Sequence, residues 1–221
     1  MLSAMSAGSG LPILGEDRQI AASASFMRRA KLSPMKPNNQ IRIGAGAWRS
    51  RVVRFPDVLG LRPTPDRVRA TVFNWLGQTL HGKVCLDAFA GSGALGFEAA
   101  SRGADEVTLC ETDARAVQAL RDNARLLQAP NCKIVAADVF SWLKKNPASL
   151  DVVFCDPPFA ARLQLPFLQA IAAHLAPGGV VYIEACEPLD QLLVTAAYYE
   201  VLKSSRAGAV YFGLLRPKTS G

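Results

Sequence analysis

The sequence predicts an α/β fold built on a mostly parallel seven-stranded sheet with one antiparallel strand, preceded by a basic β-hairpin and a helix. From Lys83 onward, short apolar runs alternate with segments of helical periodicity. That alternation is typical of parallel strands covered by helices on both faces. The last two apolar runs are joined by Ala207-Gly208, a spacing that predicts a hairpin and hence one reversed strand.

The elements follow from local patterns in chain order. Arginines alternate with apolar residues around two glycines at 40–56, which predicts a short hairpin. A helix is expected at 65–77, where Pro65 suits the first turn and Asp66 the positive helix end. Strands are predicted at 83–89, 106–111, 132–137, 150–155, 179–185, 199–205 and 209–215. Helices are predicted at 94–103, 113–127, 139–146, 162–175 and about 187–195.

Composition sets the domain plan and excludes several classes of protein. Residues 1–39 lack periodicity and are expected to form a disordered tail, followed by the hairpin and helix at 40–82 and the main domain at 83–217. No apolar run approaches the roughly 20 residues that cross a bilayer, and the start lacks a secretory pattern, so a cytoplasmic protein without a membrane partner is expected. Two isolated histidines and five cysteines without a CxxC pair predict reduced thiols and no metal site.

The positive charge is concentrated in the first third of the chain. Residues 1–70 hold 12 Lys and Arg against 4 Asp and Glu, whereas residues 71–221 hold 13 against 14. A basic segment on a neutral domain indicates contact with a polyanion, although a merely solvated basic tail is the alternative. Trp48 would either stack on a base or pack the hairpin onto the core. The candidate RNA contacts are Arg42, Trp48, Arg49, Arg51 and Arg54.

The residues that follow the predicted strands suggest a cofactor site. Ligands of open α/β sheets bind beyond the carboxyl ends of the strands. The spacing Gly91-x-Gly93-x-x-Gly96 fits either NAD or S-adenosylmethionine (SAM). An acid at Asp87 would repel a pyrophosphate but suits an ammonium and a sulfonium, which favours SAM. Glu111 would accept hydrogen bonds from the ribose hydroxyls, and Asp138 would accept one from the adenine amine. The candidate cofactor residues are Asp87, Phe89, Ala90, Gly91, Ser92, Gly93, Glu111, Asp138 and Val139.

The fourth strand of the predicted sheet is followed directly by DPPF, which predicts a site that binds a planar amine. A stiff proline pair would hold two acceptors, the Asp156 carboxylate and the Pro157 carbonyl, on the hydrogens of an exocyclic amine. Phe159 would stack on the base that carries this amine. The catalytic candidates are therefore Asp156, Pro157, Pro158 and Phe159. Glu184, in VYIEA, is interpreted as an acid at a strand end and is left out of the site.

Three motifs resemble known methyltransferases. DAFAGSGALGFEAASRGA (87–104) resembles motif I of class I SAM-dependent methyltransferases, which have a Rossmann-like fold, and DPPF matches motif IV of the amino-methyltransferases. LRPTPDRVRATVFNWL (61–76) resembles the segment before motif I in the RsmD family, with Ala70 where that family has an acid. The resemblance covers about 40–217.

The resemblance to the RsmD family implies a specific activity. The resemblance implies methylation of the N2 of guanine 966 in 16S ribosomal RNA, with SAM as the methyl donor. The small-subunit substrate would be an assembled particle, and Arg62 and Thr64 would lie over the cofactor. Nothing in the sequence requires more than a monomer.

Two other classes of function stay open at this point. One is a different amino-methyltransferase acting on adenine N6 in DNA or RNA, or on a protein glutamine. A DNA enzyme would be expected to carry a separate recognition domain, and a glutamine enzyme would more usually have Asn in place of Asp156. The other is a non-catalytic RNA-binding protein, which the retention of the four acids and DPPF disfavours.

Overall fold

A computed structural model describes residues 39–58, 61, 63–147, 149–194, 196 and 198–218. The expected tail up to residue 38 and the proposed role of Arg62 lie outside the described residues, as does the side chain of Phe159. The division of the chain at residue 82 stays a prediction.

The described residues form a hairpin followed by alternating strands and helices. The strands are β1 (Gln40–Arg42), β2 (Val52–Arg54), β3 (Val84–Asp87), β4 (Glu106–Glu111), β5 (Cys132–Ala136), β6 (Leu150–Cys155), β7 (Leu175–Ala185), β8 (Tyr199–Ala207) and β9 (Val210–Pro217). The α-helices are α1 (Asp66–Leu76), α2 (Ala94–Ser101), α3 (Ala114–Leu127), α4 (Val139–Leu143), α5 (Gln164–Ile171) and α6 (Leu189–Leu192). Short 3-10 helices lie at Phe159–Ala161 and Ala172–His174.

Seven strands form one sheet in the order β5-β4-β3-β6-β7-β9-β8. The first five are parallel, and β9 runs antiparallel to both of its neighbours. This confirms the predicted α/β sheet with one reversed strand. The chain order reverses between β3 and β6, whose register pairs Asp87 with Phe154. The carboxyl ends of these two strands therefore meet at the switch point, where such sheets bind ligands.

Several predicted boundaries are wrong, each for a local reason. β7 begins at Leu175 rather than 179 because Leu175 pairs with Leu150 and an irregularity in the β6–β7 register accommodates the Pro-Gly-Gly run. A Cβ on Gly179 would lie 2.6 Å from the Leu150 carbonyl oxygen, so only glycine fits there. α5 begins only at Gln164, because Arg162 has a φ of 50° that a helix cannot include.

The remaining differences concern helix ends. Pro65 is the N-cap of α1, with an extended ψ of 147°, rather than a residue of its first turn. α4 and α6 are shorter than the predicted 139–146 and 187–195. The hairpin strands hold three residues each, so most of 40–56 is loop.

The basic hairpin is anchored on α2. Glu98 of α2 accepts hydrogen bonds from the backbone N–H groups of Gly44 at 2.7 Å and Ala45 at 3.1 Å. The Ser101 hydroxyl accepts from the Trp48 N–H at 2.9 Å. Gly46 has a φ of 80°, and a Cβ there would lie 1.8 Å from the Ser101 carbonyl oxygen. The hairpin therefore lies directly on the helix that follows the glycine loop.

Apolar side chains pack against both faces of the sheet. Phe73 of α1 is fully buried against Phe154 of β6, and Trp75 stacks on Phe212 of β9 with ring centroids 5.5 Å apart. Both aromatic residues of α1 therefore belong to the core rather than to a binding surface. In the part of the chain that the structure describes, no helix is long and apolar enough to cross a membrane.

Candidate active site

A cleft of about 1140 Å³ opens at the carboxyl ends of the parallel strands. Single small-molecule pockets measure roughly 300–1,000 Å³, so this volume can accept a cofactor together with a second planar group. Most of the predicted cofactor and catalytic residues line the cleft. They are Thr64, Asp87, Phe89, Ala90, Gly91, Ser92, Glu111, Asp138, Val139, Asp156, Pro157 and Pro158.

Two positions of the glycine loop require glycine. Gly91 and Gly93 have φ values of 50° and 76°, in the left-handed region that favours glycine. Gly93 is the N-cap of α2, and a Cβ on it would lie 2.6 Å from Leu120 and Phe97 side-chain atoms. Gly93 therefore shapes the loop through its backbone conformation. It is not one of the residues that line the cleft in the part of the chain that the structure describes.

Asp87 is a buried carboxylate at the end of β3. It is 4% exposed, and its Oδ2 accepts a hydrogen bond from the Gly96 N–H at 2.9 Å. Burial, with a smaller contribution from the nearby Glu111 charge, raises its pKa from 3.8 to about 7, against the opposing effect of the Gly96 N–H. A carboxylate in these surroundings gains from a cationic partner in the cleft.

Glu111 and Asp138 are both oriented by backbone N–H groups. The Glu111 Oε2 accepts from the Gly91 N–H at 2.8 Å, and its Oε1 accepts from the N–H groups of Thr112 and Asp113. Asp138 is the exposed N-cap of α4, with Oδ1 accepting from the Ser141 N–H at 3.0 Å. Their predicted contacts with ribose and adenine stay predictions.

Asp156 faces the cleft directly after β6, at the switch point. The Thr64 hydroxyl lies 3.5 Å from its Oδ2, at the long end of hydrogen-bonding range. Burial raises the pKa of Asp156 well above its usual value, and the Glu184 and Asp87 charges act in the same direction. Pro157 is buried and Pro158 is exposed, and both residues line the cleft.

Sequence reasoning missed Glu184, the penultimate residue of β7, which the β6–β7 register places beside Asp156. Glu184 is 5% exposed, lines the cleft, and accepts a hydrogen bond from the Tyr182 hydroxyl at 2.6 Å. Burial raises its pKa, and hydrogen bonds from Tyr182 and Thr64 oppose that rise. The available signal was the rule already applied to the other strands, an acid at a strand's carboxyl end. The turn between β8 and β9 also lines the cleft, which the sequence did not indicate.

The cysteines near the cleft are poor nucleophiles. Burial raises the pKa of Cys110, which lines the cleft, to about 12. Burial and the adjacent Asp156 raise the pKa of Cys155 well above 9.0. Because the thiolate is the reactive form, these environments disfavour covalent catalysis by cysteine.

The hairpin presents its four arginines to solvent. Arg42, Arg49, Arg51 and Arg54 are all exposed. Arg42 donates to the Ser50 carbonyl at 2.7 Å, and Arg51 donates to the Leu126 carbonyl on α3, so backbone contacts orient two of the guanidinium groups. Trp48 is half-buried and packs against the core, which supports the packing role considered above. Contact of these residues with RNA stays a prediction.

A comparison with sequence families decides the affiliation. The family described as Conserved hypothetical protein 95 matches residues 41–216. The chain belongs to this family. It is 39% identical to Ribosomal RNA small subunit methyltransferase D of Escherichia coli K12, over 84% of this chain and 96% of the relative. The protein of the same name from Haemophilus influenzae is 36% identical over 83% of this chain and 97% of the relative. The resemblance to the RsmD family is confirmed.

Solved structures agree with this placement. The Escherichia coli protein yhhF, described as a methyltransferase, superposes with a TM-score of 0.72 at 36% identity, covering 82% of this chain and 99% of that one. SMU.776, solved with SAH, superposes with a TM-score of 0.63 at 17% identity, covering 83% of this chain and 57% of that one. The second likeness is one of fold alone.

Proposed function

We propose that this member of the Conserved hypothetical protein 95 family transfers a methyl group from SAM to the exocyclic N2 of a guanine in small-subunit ribosomal RNA. The observation that carries the proposal is the position of Asp156 and the proline pair. They face the same cleft as the glycine loop and the buried Asp87. The relatives named Ribosomal RNA small subunit methyltransferase D support the choice of substrate.

The residues present fit SAM by their chemistry. Burial disfavours the ionised form of Asp87, and an ammonium or sulfonium charge in the cleft would stabilise it. Glu111, whose Oε2 accepts from the Gly91 N–H, would accept hydrogen bonds from the ribose hydroxyls, and Asp138 with the buried Val139 would hold the adenine. SAM, when bound, supplies an electrophilic methyl group. Further contacts are assigned to Arg62, Thr64, Phe89, Ala90, Gly91 and Ser92.

The chain's own contribution to the reaction is orientation. The lone pair of guanine N2 is delocalised into the ring, so the amine must become more tetrahedral as it reacts. The Asp156 carboxylate and the Pro157 carbonyl accept hydrogen bonds from the two N–H groups of this amine and thereby favour the tetrahedral geometry. Phe159 stacks on the flipped base. The proton released after transfer passes to Asp156 or to water.

The substrate would be the assembled small-subunit particle, met in the cytoplasm by a monomer of this protein. The exposed arginines of the hairpin would bind RNA phosphates. Because the hairpin is fixed on α2, this contact sets the distance between the RNA backbone and the cleft.

Asp156→Ala separates this assignment from a role in cofactor binding. Loss of an acceptor on the reacting amine should lower methyl transfer roughly 100- to 1,000-fold, with SAM affinity nearly unchanged. Transfer is measured with tritiated SAM on unmethylated particles, and affinity by calorimetry. Asp122→Ala, an exposed acid paired with Arg125 on α3, is the matched control and should retain full activity. A large loss of SAM binding by Asp156→Ala would contradict the assignment.

A further inference from the structure

We propose that Glu184 selects guanine by accepting the N1–H of the target base while Asp156 holds its N2 amine. The inference rests on the proposed function and deepens it. DPPF alone recognises an exocyclic amine, which guanine and adenine both carry. The residue beside Asp156 can tell them apart, because the two bases differ at the neighbouring ring nitrogen.

Glu184 and Asp156 occupy adjacent positions at two strand ends. β6 and β7 are parallel neighbours, and their register pairs Cys155 with Ile183. The next residues along are therefore Asp156 and Glu184, on backbones roughly 4.8 Å apart. Both residues line the cleft, and the Thr64 hydroxyl makes contact with both carboxylates. The cleft thus presents two acceptors side by side.

Glu184 is held in place more firmly than a solvated strand-end acid would be. The Tyr182 hydroxyl, on a fully buried ring two residues earlier, donates to its Oε1 at 2.6 Å. The Gln164 side chain of α5 donates to its backbone carbonyl at 3.3 Å. A carboxylate has about four acceptor positions, so Glu184 keeps acceptor capacity toward the cleft after the bond from Tyr182.

The pairing matches the hydrogen-bonding edge of guanine. Guanine presents two adjacent donors on this edge, the N1–H and the N2 amine, and two adjacent carboxylates accept them. Adenine presents an amine beside an N1 lone pair, so its N1 would face the Glu184 carboxylate without a proton between them. A site built to accept a base's hydrogen strongly rejects an analogue that lacks it, since buried polar groups are then left unpaired.

Burial of Glu184 is otherwise unfavourable. Burial raises the pKa of Glu184, and burial together with the Glu184 charge raises the pKa of Asp156, so the charged forms of both acids are disfavoured in the free protein. Two hydrogen-bond donors delivered by the base offset that effect. A base with two adjacent donors therefore favours the charged forms of both neighbouring carboxylates.

The test compares two target bases that carry the same C2 amine, only one of which has an N1–H. Small-subunit particles are reconstituted with either guanine or 2-aminopurine at the methylated position. 2-Aminopurine keeps the C2 amine but lacks both the N1–H and the O6 carbonyl, so a variant at Glu184 is needed to assign the discrimination to N1. The wild-type protein should methylate the guanine particle roughly 100-fold more efficiently, in kcat/KM, than the 2-aminopurine particle. In Glu184→Gln, whose amide can also donate to N1, that ratio should fall about tenfold or more, with SAM affinity unchanged.

The possible outcomes distinguish failure of the proposed role of Glu184 from failure of the proposed methyltransferase function. Glu200→Gln, on β8 and ion-paired with Arg216, is the matched control and should keep the wild-type ratio. A wild-type protein that methylates both particles equally overturns the proposal without any variant. An unchanged ratio in a folded, SAM-binding Glu184→Gln also overturns it. If the wild type forms no N2-methylguanine on the guanine particle, the proposed function itself fails, and the role of Glu184 fails with it.

Discussion

Asp87 is subject to opposing demands in the free and the cofactor-bound protein. Its carboxylate lies in a buried position where the charged form is unfavourable, with a pKa of about 7 against an ordinary 3.8. A cationic ligand reverses this preference, because an opposite charge at close range favours the ionised form. The residue therefore destabilises the free protein at neutral pH and strengthens binding of a cation.

Asp87→Asn should separate these two effects. The folded protein holds the Asp87 proton more tightly than the unfolded chain, so stability is lost as pH rises from about 4 to 7. Asn keeps an acceptor for the Gly96 N–H without the charge. We expect the variant to be more stable than the wild type at pH 8, by roughly 1–4 kcal/mol, and equally stable near pH 3. Thermal unfolding across this pH range measures the difference.

The same variant should bind SAM about 10- to 100-fold more weakly at pH 8. Wild-type affinity should increase as pH rises through 7, whereas the affinity of the variant should not depend on pH there. Calorimetry at several pH values measures both. Asp122→Asn, at an exposed position on α3, provides the control. A variant less stable than the wild type at pH 8 would show that the Asp87 carboxylate stabilises the free protein after all.

The hairpin formed by β1 and β2 is the element that we expect to contact RNA. Its loop is fixed by Glu98 and Ser101 of α2, and Asn123 of α3 donates to the Arg54 carbonyl at 2.6 Å. The exposed guanidinium groups are therefore carried on a rigid platform. A rigid platform loses little conformational freedom on binding, which favours affinity.

Loss of two hairpin charges should weaken RNA binding alone. We expect the double variant Arg49→Ala and Arg54→Ala to raise the KM for particles about tenfold, and to reduce the salt dependence of binding by about two phosphate contacts. SAM affinity should not change. A matched control is the double variant Lys133→Ala and Arg216→Ala, which removes two ion-paired cations outside the hairpin. Equal effects of the two double variants would mean that only net charge matters.

Element types were predictable because most apolar runs are cleanly delimited. β4 and β6 match their predicted bounds, since a polar or turn-forming residue stands at each end. The start of β7 was not predictable, because Pro177-Gly178-Gly179 indicates a loop until Leu175 is paired with Leu150. Tertiary pairing overrides local preference at such positions.

For the whole molecule, strand order decides the site. The rule that ligands bind beyond the carboxyl ends of strands was enough to predict Asp87, Glu111, Asp138 and Asp156, all of which line one cleft. The same rule offered Glu184 as a candidate, but its pairing with Asp156 could not be predicted, because that depends on the β6–β7 register. Periodicity locates a strand but does not say which neighbour it pairs with.

The molecule carries opposite charges on two of its surfaces. Exposed arginines lie on the hairpin, whereas the cleft is lined by carboxylates. Phosphates are attracted to the first surface and repelled by the second, so a nucleic acid would bind with its backbone outside and only a base inside. In the proposed complex, the carboxylates would face the cationic cofactor and the hydrogens of the base.

Methyl transfer followed by nucleoside analysis tests the central claim most directly. The protein is incubated with tritiated SAM and small-subunit particles that lack the modification, and the ribosomal RNA is digested to nucleosides. The account predicts that the label is recovered as N2-methylguanosine. Label recovered as N6-methyladenosine, or no label in the RNA, would contradict it.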